Sequence, residues 1–277
     1  MTAHTRIIAL AQQLLGASKP SPETSRPAMS HTQSAACCNT PVVISKGYKE
    51  KGKYVTVGGL KTYITGPSSA SHGILVIFDI FGFFPQTIQG ADILAHSSEK
   101  HYQVFMPDWF DGNPADLSWY PPDTEEKGKK LGAFFQTEAA PVKTVDKVMK
   151  VMNELQSNYP HVKSWGVVGY CWGGKIVNLV SQQGTPFKAA ASCHPAMVDP
   201  NDAPNVTIPI LSIPSMDEDK SAVDQYEAAL KVPNRTEWYD DQVHGFMAAR
   251  SDLENEKVKA AYEKAYQTLL TWFSEHL

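Results

Sequence analysis

The stretch Trp165-Gly166-Val167-Val168-Gly169-Tyr170-Cys171-Trp172-Gly173-Gly174-Lys175 decides the architecture. A short apolar run leads straight into a glycine-flanked cysteine, and a helical pattern follows from Lys175 to Gln183. A residue at a sharp strand-to-helix turn holds a strained backbone, and the chain two positions away on either side passes close by. Only small residues fit there, and Gly169 and Gly173 meet that demand. The N-terminus of the following helix favours negative charge, hence a Cys171 thiolate, and supplies backbone N–H donors for an oxyanion. The competing reading is a buried structural cysteine in a glycine-rich turn, since free cysteine is among the most buried residue types.

Outward from this turn, short apolar runs alternate with longer segments of helical period, the pattern of strands joined by crossover helices in a parallel sheet. The expected strands are Ile74 to Phe78, Val104 to Pro107, Trp165 to Val168, Ala189 to Ser192, Ile208 to Ile213 and Thr236 to Tyr239. Tyr54 to Val57 and Thr62 to Ile64, joined through Gly58 and Gly59, read as an antiparallel hairpin at the sheet edge. Val142, Val145, Val148, Met149, Met152 and Leu155 form one helical stripe; Val258, Ala261, Ala265, Leu269 and Phe273 form another. Between Pro107 and Pro122 an irregular segment carries Trp109, Phe110, Trp119 and Tyr120, which either roofs a pocket or folds on its own aromatics. No internal repeat or linker divides the body, so residues 41–277 read as one α/β domain.

Two further residues complete a chemical set with Cys171. Asp217 follows the expected strand Ile208 to Ile213 and is the acid nearest its end, ahead of Glu218 and Asp219. His244, beside Gly245, follows the strand Thr236 to Tyr239; His194, next to Cys193 and Pro195, is its competitor among the histidines. Nucleophile, acid and histidine in that chain order, each at the carboxyl end of a strand, is the order of α/β-hydrolases. The expected triad is Cys171, Asp217 and His244.

The sequence resembles the dienelactone hydrolase family, particularly its fungal members, over roughly Cys37 to Leu277. The resemblance is carried by Asp79-Ile80-Phe81-Gly82, by Gln89-Gly90-Ala91-Asp92, by the cysteine turn and by His244-Gly245-Phe246. It implies an α/β-hydrolase fold, with a mostly parallel sheet, helices on both faces and no large cap domain. It also implies hydrolysis of a small ester, enol-lactone or thioester, with an oxyanion hole from the N–H groups of Ile80 and Trp172. Asp79 stands where bacterial members have a glutamate that pairs with the resting cysteine, and its side chain is one methylene shorter. Those members hold a substrate carboxylate with arginines; Arg250 lies at a comparable place after His244, with different spacing, so Asp79 and Arg250 are the expected substrate-binding residues.

Composition narrows the partner. The net charge of −4 gives no basic footprint for nucleic acid, and no apolar run is long enough to span a bilayer, so the expected partner is a small molecule met by a monomer or homodimer. The expected chemistry needs no metal or organic cofactor. The four cysteines are Cys37, Cys38, Cys171 and Cys193, and with no secretory signal a disulfide framework is not expected. Cys37 and Cys38 read as plain thiols. Residues 1–40 are rich in Ser, Thr, Ala and Pro, with Arg6, Lys19 and Arg26 against the single acid Glu23, and read as a flexible extension. The expected compartment is the cytoplasm, or the mitochondrion if the extension is a transit peptide, which a start at Met29 would remove. Two other functions remain open on sequence alone: a thiol redox module using Cys171 with Cys193, and a non-catalytic ligand-binding protein on the same fold.

Overall fold

The computed structural model describes residues 47–277, so the expected extension over residues 1–40, with Met29, Cys37 and Cys38, lies outside the described residues. The hairpin forms as expected. Strands β1 (Lys53–Val57) and β2 (Leu60–Thr65) pair antiparallel through Gly58 and Gly59, both at positive φ, and β1 is the sheet edge. There follow β3 (His72–Ile77), β4 (Tyr102–Pro107), β5 (Ser164–Tyr170), β6 (Ala189–Cys193), β7 (Ile210–Ile213) and β8 (Asn234–Thr236). The sheet order is β1-β2-β4-β3-β5-β6-β7-β8, antiparallel at β1-β2 and β2-β4 and parallel elsewhere.

The chain leaves β3 toward β4 on one side and returns to β5 on the other. The carboxyl ends of β3 and β5 therefore flank the point where the strand order reverses, the usual ligand crevice of such sheets. Asp79 lies just beyond one of these ends and Cys171 at the other.

Helices cover both faces. On one, α1 (Pro85–His96) packs against α6 (Glu256–His276); on the other, α3 (Pro141–Asn158) packs against α4 (Trp172–Val180). Helices α2 (Glu125–Gln136) and α5 (Lys220–Ala229) complete the set among the described residues. The expected stripe on α3 is its buried face, through Val145, Val148, Met152 and Leu155. On α6 the buried face also takes in Tyr262, Tyr266 and Trp272, so it is wider and more aromatic than the stripe read from sequence. Among the described residues no helix is long and apolar enough to cross a membrane.

The Gln89-Gly90-Ala91-Asp92 motif has a packing explanation. A Cβ on Gly90 would collide with the Tyr266 hydroxyl, so glycine lets α6 close onto α1. Asp92 is buried and accepts from the hydroxyls of Tyr48 at 2.6 Å, Tyr63 at 2.8 Å and Thr65 at 2.5 Å, and from the Lys51 N–H at 3.1 Å. One carboxylate thus ties the chain ahead of β1 and strand β2 to α1. Asp92→Ala strands these donors and should cost about 3 kcal/mol or more of unfolding free energy, with Asp92→Asn losing less. Urea titration checks this; equal stability of wild type and Asp92→Ala would contradict the hub.

Candidate active site

The turn at Cys171 is as strained as its sequence requires. Cys171 has φ 55° and ψ −117°, between the end of β5 and the start of α4. A Cβ on Gly169 would strike the Gly173 carbonyl oxygen, and one on Gly173 would strike the Ile77 carbonyl oxygen, so the glycine spacing has a steric cause on both sides. The turn is held by backbone bonds: Cys171 N–H donates to the Cys193 carbonyl at 3.0 Å. Its own carbonyl accepts from Gly174 at 2.9 Å and from Ala196 at 3.0 Å. Cys171 is buried, at 3% exposure.

His244 sits in the loop after β8, where Gly245 at φ +91° allows the tight bend. The structure brings His244 together with an acid, but the acid on its ring is not the expected one. The Nδ1 atom lies 2.6 Å from Glu218 Oε1, whereas Asp217 accepts the backbone N–H of His244 at 2.8 Å. The physical reason is the path of the chain after β7. Met216 points into solvent, Asp217 is half-buried and reaches only the main chain, and Glu218 turns back inside with the longer arm. The second Glu218 oxygen accepts from Ser215 N–H, and Asp219 caps α5 by accepting from Ser221 and Ala222. The three consecutive acids have three separate tasks. Sequence proximity to the strand end favoured Asp217; the signal that favours Glu218 is reach, one methylene more.

Asp79 and Arg250 both lie at the site. Asp79 is buried, with Oδ1 accepting Phe81 N–H at 2.9 Å and Oδ2 accepting Ala249 N–H at 3.3 Å, which joins the loop after β3 to the loop after His244. Arg250 is buried rather than a surface arginine. Its guanidinium donates to the His244 carbonyl at 3.3 Å and lies 5.6 Å from the Phe81 ring centre and 5.8 Å from that of Tyr120. Ile80 follows Asp79 and is buried, and Trp172 is the first residue of α4.

The aromatic segment from residue 108 to 122 packs on these residues rather than on itself alone. Phe110 meets Trp172 with ring centres 4.9 Å apart, Tyr120 meets Phe81 at 5.0 Å, and Ala115 N–H donates to the Ile80 carbonyl at 2.9 Å. His194, the other histidine candidate, is also at the site, with its ring centre 5.3 Å from that of His244.

Strand β8 is Asn234–Thr236, earlier than the expected Thr236 to Tyr239. Tyr239 instead makes an isolated bridge to Ser215, which carries the chain alongside the acid loop before His244. Strand β7 begins at Ile210, since Pro209 precedes it.

Burial of the Asp79 carboxyl pushes its pKa up to about 6, against the opposing pull of the Phe81 and Ala249 N–H groups, Arg250 and His244. The folded protein then binds more protons than the unfolded chain between the ordinary carboxyl value and about 6, so this group's contribution to stability falls as pH rises through that window. Relative to Asp79→Asn, the wild type should lose up to about 3 kcal/mol between pH 4 and pH 7. Urea unfolding of both proteins across that range checks this, and a pH-independent difference would contradict it.

Comparisons with known proteins bear on the family and the fold. A profile of the Dienelactone hydrolase family matches residues 60–277. The chain is 35% identical over 249 residues to an AIM2 family protein of Schizosaccharomyces pombe, covering 86% of this chain and 98% of that one. It is 26% identical over 239 residues to the human carboxymethylenebutenolidase homolog, covering 83% and 93% respectively. Among solved structures, dienelactone hydrolase from Anabaena variabilis superposes with a TM-score of 0.58 at 17% identity, over 83% of this chain and 98% of that one, a likeness of fold. With an eight-stranded, mostly parallel sheet, helices on both faces and no large cap among the described residues, this chain belongs to the dienelactone hydrolase family of carboxylic ester hydrolases.

Proposed function

We propose that this hydrolase of small esters or lactones works through a Cys171 nucleophile, with His244 as proton shuttle and Glu218, in place of Asp217, as the acid that orients it. The observation that carries this reading is the buried His244–Glu218 contact of 2.6 Å, in a loop at the same carboxyl edge of the sheet as the strained cysteine turn. A carboxylate on Nδ1 fixes the tautomer that leaves Nε2 for proton transfer, and it stabilises the imidazolium formed during the reaction.

In the reaction, His244 takes the Cys171 thiol proton as Sγ forms a bond to the carbonyl carbon. The N–H groups of Trp172 and Ile80 hold the resulting oxyanion. Collapse breaks the bond to the leaving oxygen, or sulfur in a thioester, and His244 returns the proton to that group, which stays attached to the acyl chain if the substrate is a lactone. Water then attacks the acyl-thioester, giving up a proton to His244, and the Cys171 thiol departs with that proton restored. Asp217 supports the same loop by holding the His244 main chain. A thiol leaves more readily than an amine, so activated esters, enol-lactones and thioesters suit this chemistry better than amides.

Arg250 is proposed to favour substrates with a carboxylate. Because it also props the His244 carbonyl, Arg250→Ala should raise KM most for an anionic ester and lower kcat for neutral ones as well. A redox pairing of Cys171 with Cys193 finds less support. Cys193 is fully buried and burial pushes its thiol well above the ordinary range, which disfavours the reactive thiolate.

The test is hydrolysis of a 4-nitrophenyl ester by single variants. Cys171→Ala should abolish turnover with the fold intact, Glu218→Gln should lower kcat by about 10³-fold or more, and Asp217→Asn should cost far less. The reverse order of the two acids would return the orienting role to Asp217, and wild-type turnover by Cys171→Ala would end the cysteine mechanism.

A further inference from the structure

His194 is a buried histidine that the proposed mechanism does not use. It follows Cys193, whose carbonyl accepts the Cys171 N–H, and it precedes Pro195-Ala196, where Ala196 N–H donates back to the Cys171 carbonyl. Its backbone N–H is tied to the Ile213 carbonyl at 2.6 Å, and its φ of 35° lies in the left-handed region that non-glycine residues rarely occupy. The turn is therefore fastened to the nucleophile on both sides. It sets the ring edge-to-face against His244 at 5.3 Å, with Tyr170 and Phe246 each 5.9 Å away between ring centres.

The ring is wholly buried, yet apart from its own main chain neither nitrogen has a hydrogen-bond partner among the described residues. A phenylalanine would fill the same aromatic niche without leaving polar atoms unmet, and buried polar groups left so tend to mark a functional demand. The histidine is held uncharged: burial first, then the nearby His244 and Arg250, push its pKa well below the usual value. An uncharged imidazole offers one N–H donor and one lone pair, suited to a neutral oxygen rather than a carboxylate.

We infer that His194 is a substrate-contacting residue that hydrogen-bonds the acyl part of the ester and selects acyl chains carrying a hydroxyl, ether or carbonyl oxygen close to the scissile carbonyl. This rests on Cys171 being the nucleophile, because the His194 turn is bonded to the Cys171 main chain and an acyl group carried on Sγ is what would be brought to it.

The test compares 4-nitrophenyl methoxyacetate with 4-nitrophenyl butyrate, which have acyl chains of equal length and differ by an ether oxygen in place of a methylene. His194→Phe keeps the ring and removes both nitrogens. It should lower the ratio of kcat/KM for the methoxyacetate to that for the butyrate about tenfold, with no fall in Tm. Equal effects on the two esters, or none on either, would overturn the assignment. Should the phenylalanine variant fail to fold, His194→Gln and His194→Met give the same reading, since only the glutamine is expected to retain part of the ether preference and equal preference in both would overturn it. Cys171→Ala run alongside separates the two claims. If it is inactive while His194→Phe treats both esters alike, only the His194 assignment fails; if it hydrolyses both esters at the wild-type rate, the nucleophile reading fails and takes this assignment with it.

Discussion

The structure depends on one constraint, the strained backbone at Cys171. A residue at φ 55° between a strand and a helix persists only if its surroundings over-determine it, and here they do. Gly169 and Gly173 let the chain pass close to itself and to β3, and Cys193 and Ala196 hold the turn through the main chain. Because Gly173 must lie against the Ile77 carbonyl, the start of α4 is fixed against the end of β3. That contact sets Trp172 and Ile80 on the same edge of the sheet, so the geometry of the turn and the placement of both proposed oxyanion donors share one cause.

Around that turn the site gathers ionisable groups in a region nearly closed to solvent. Asp79, Glu218, His244 and Arg250 are each no more than 6% exposed. Charges so placed survive only when hydrogen-bonded. Asp79 has two backbone donors, Glu218 has His244 and Ser215, and Arg250 has the His244 carbonyl and two aromatic faces. The dry surroundings strengthen each of these contacts and remove the solvent screening that would blur the position of the imidazole. His194 differs from these four: its ring lies in the same enclosure with both nitrogens unmet by other described residues, and it packs on the ring of His244, which is why it is read as a substrate contact rather than as packing.

Much of this was legible in the sequence because it is local. The glycine spacing at the turn, the edge hairpin through Gly58 and Gly59, and the stripes on α3 and α6 follow from sterics and periodicity within a few residues. The acid was not legible in the same way. Asp217 and Glu218 are adjacent carboxylates at one strand end, and which of them meets the imidazole depends on how the chain turns after Pro214, where Met216 is thrown outward and Glu218 inward. The limits of β8 were misplaced for a similar reason: Glu237, Trp238 and Tyr239 look like strand residues, but after Thr236 the chain bends toward Ser215. The packing of Arg250 against Phe81 and Tyr120, and the placing of the aromatic segment over Trp172 and Phe81, are contacts between distant segments that no local pattern encodes.

The central claim is a covalent acyl group on Cys171. It is tested most directly by quenching the enzyme in acid during turnover of 4-nitrophenyl pivalate, whose hindered acyl group slows the second step, and locating the added mass by peptide mapping. The account predicts a pivaloyl thioester on the peptide containing Cys171, absent from Cys171→Ala and released by hydroxylamine. An acyl adduct on another residue, or the same adduct formed by Cys171→Ala, would contradict it.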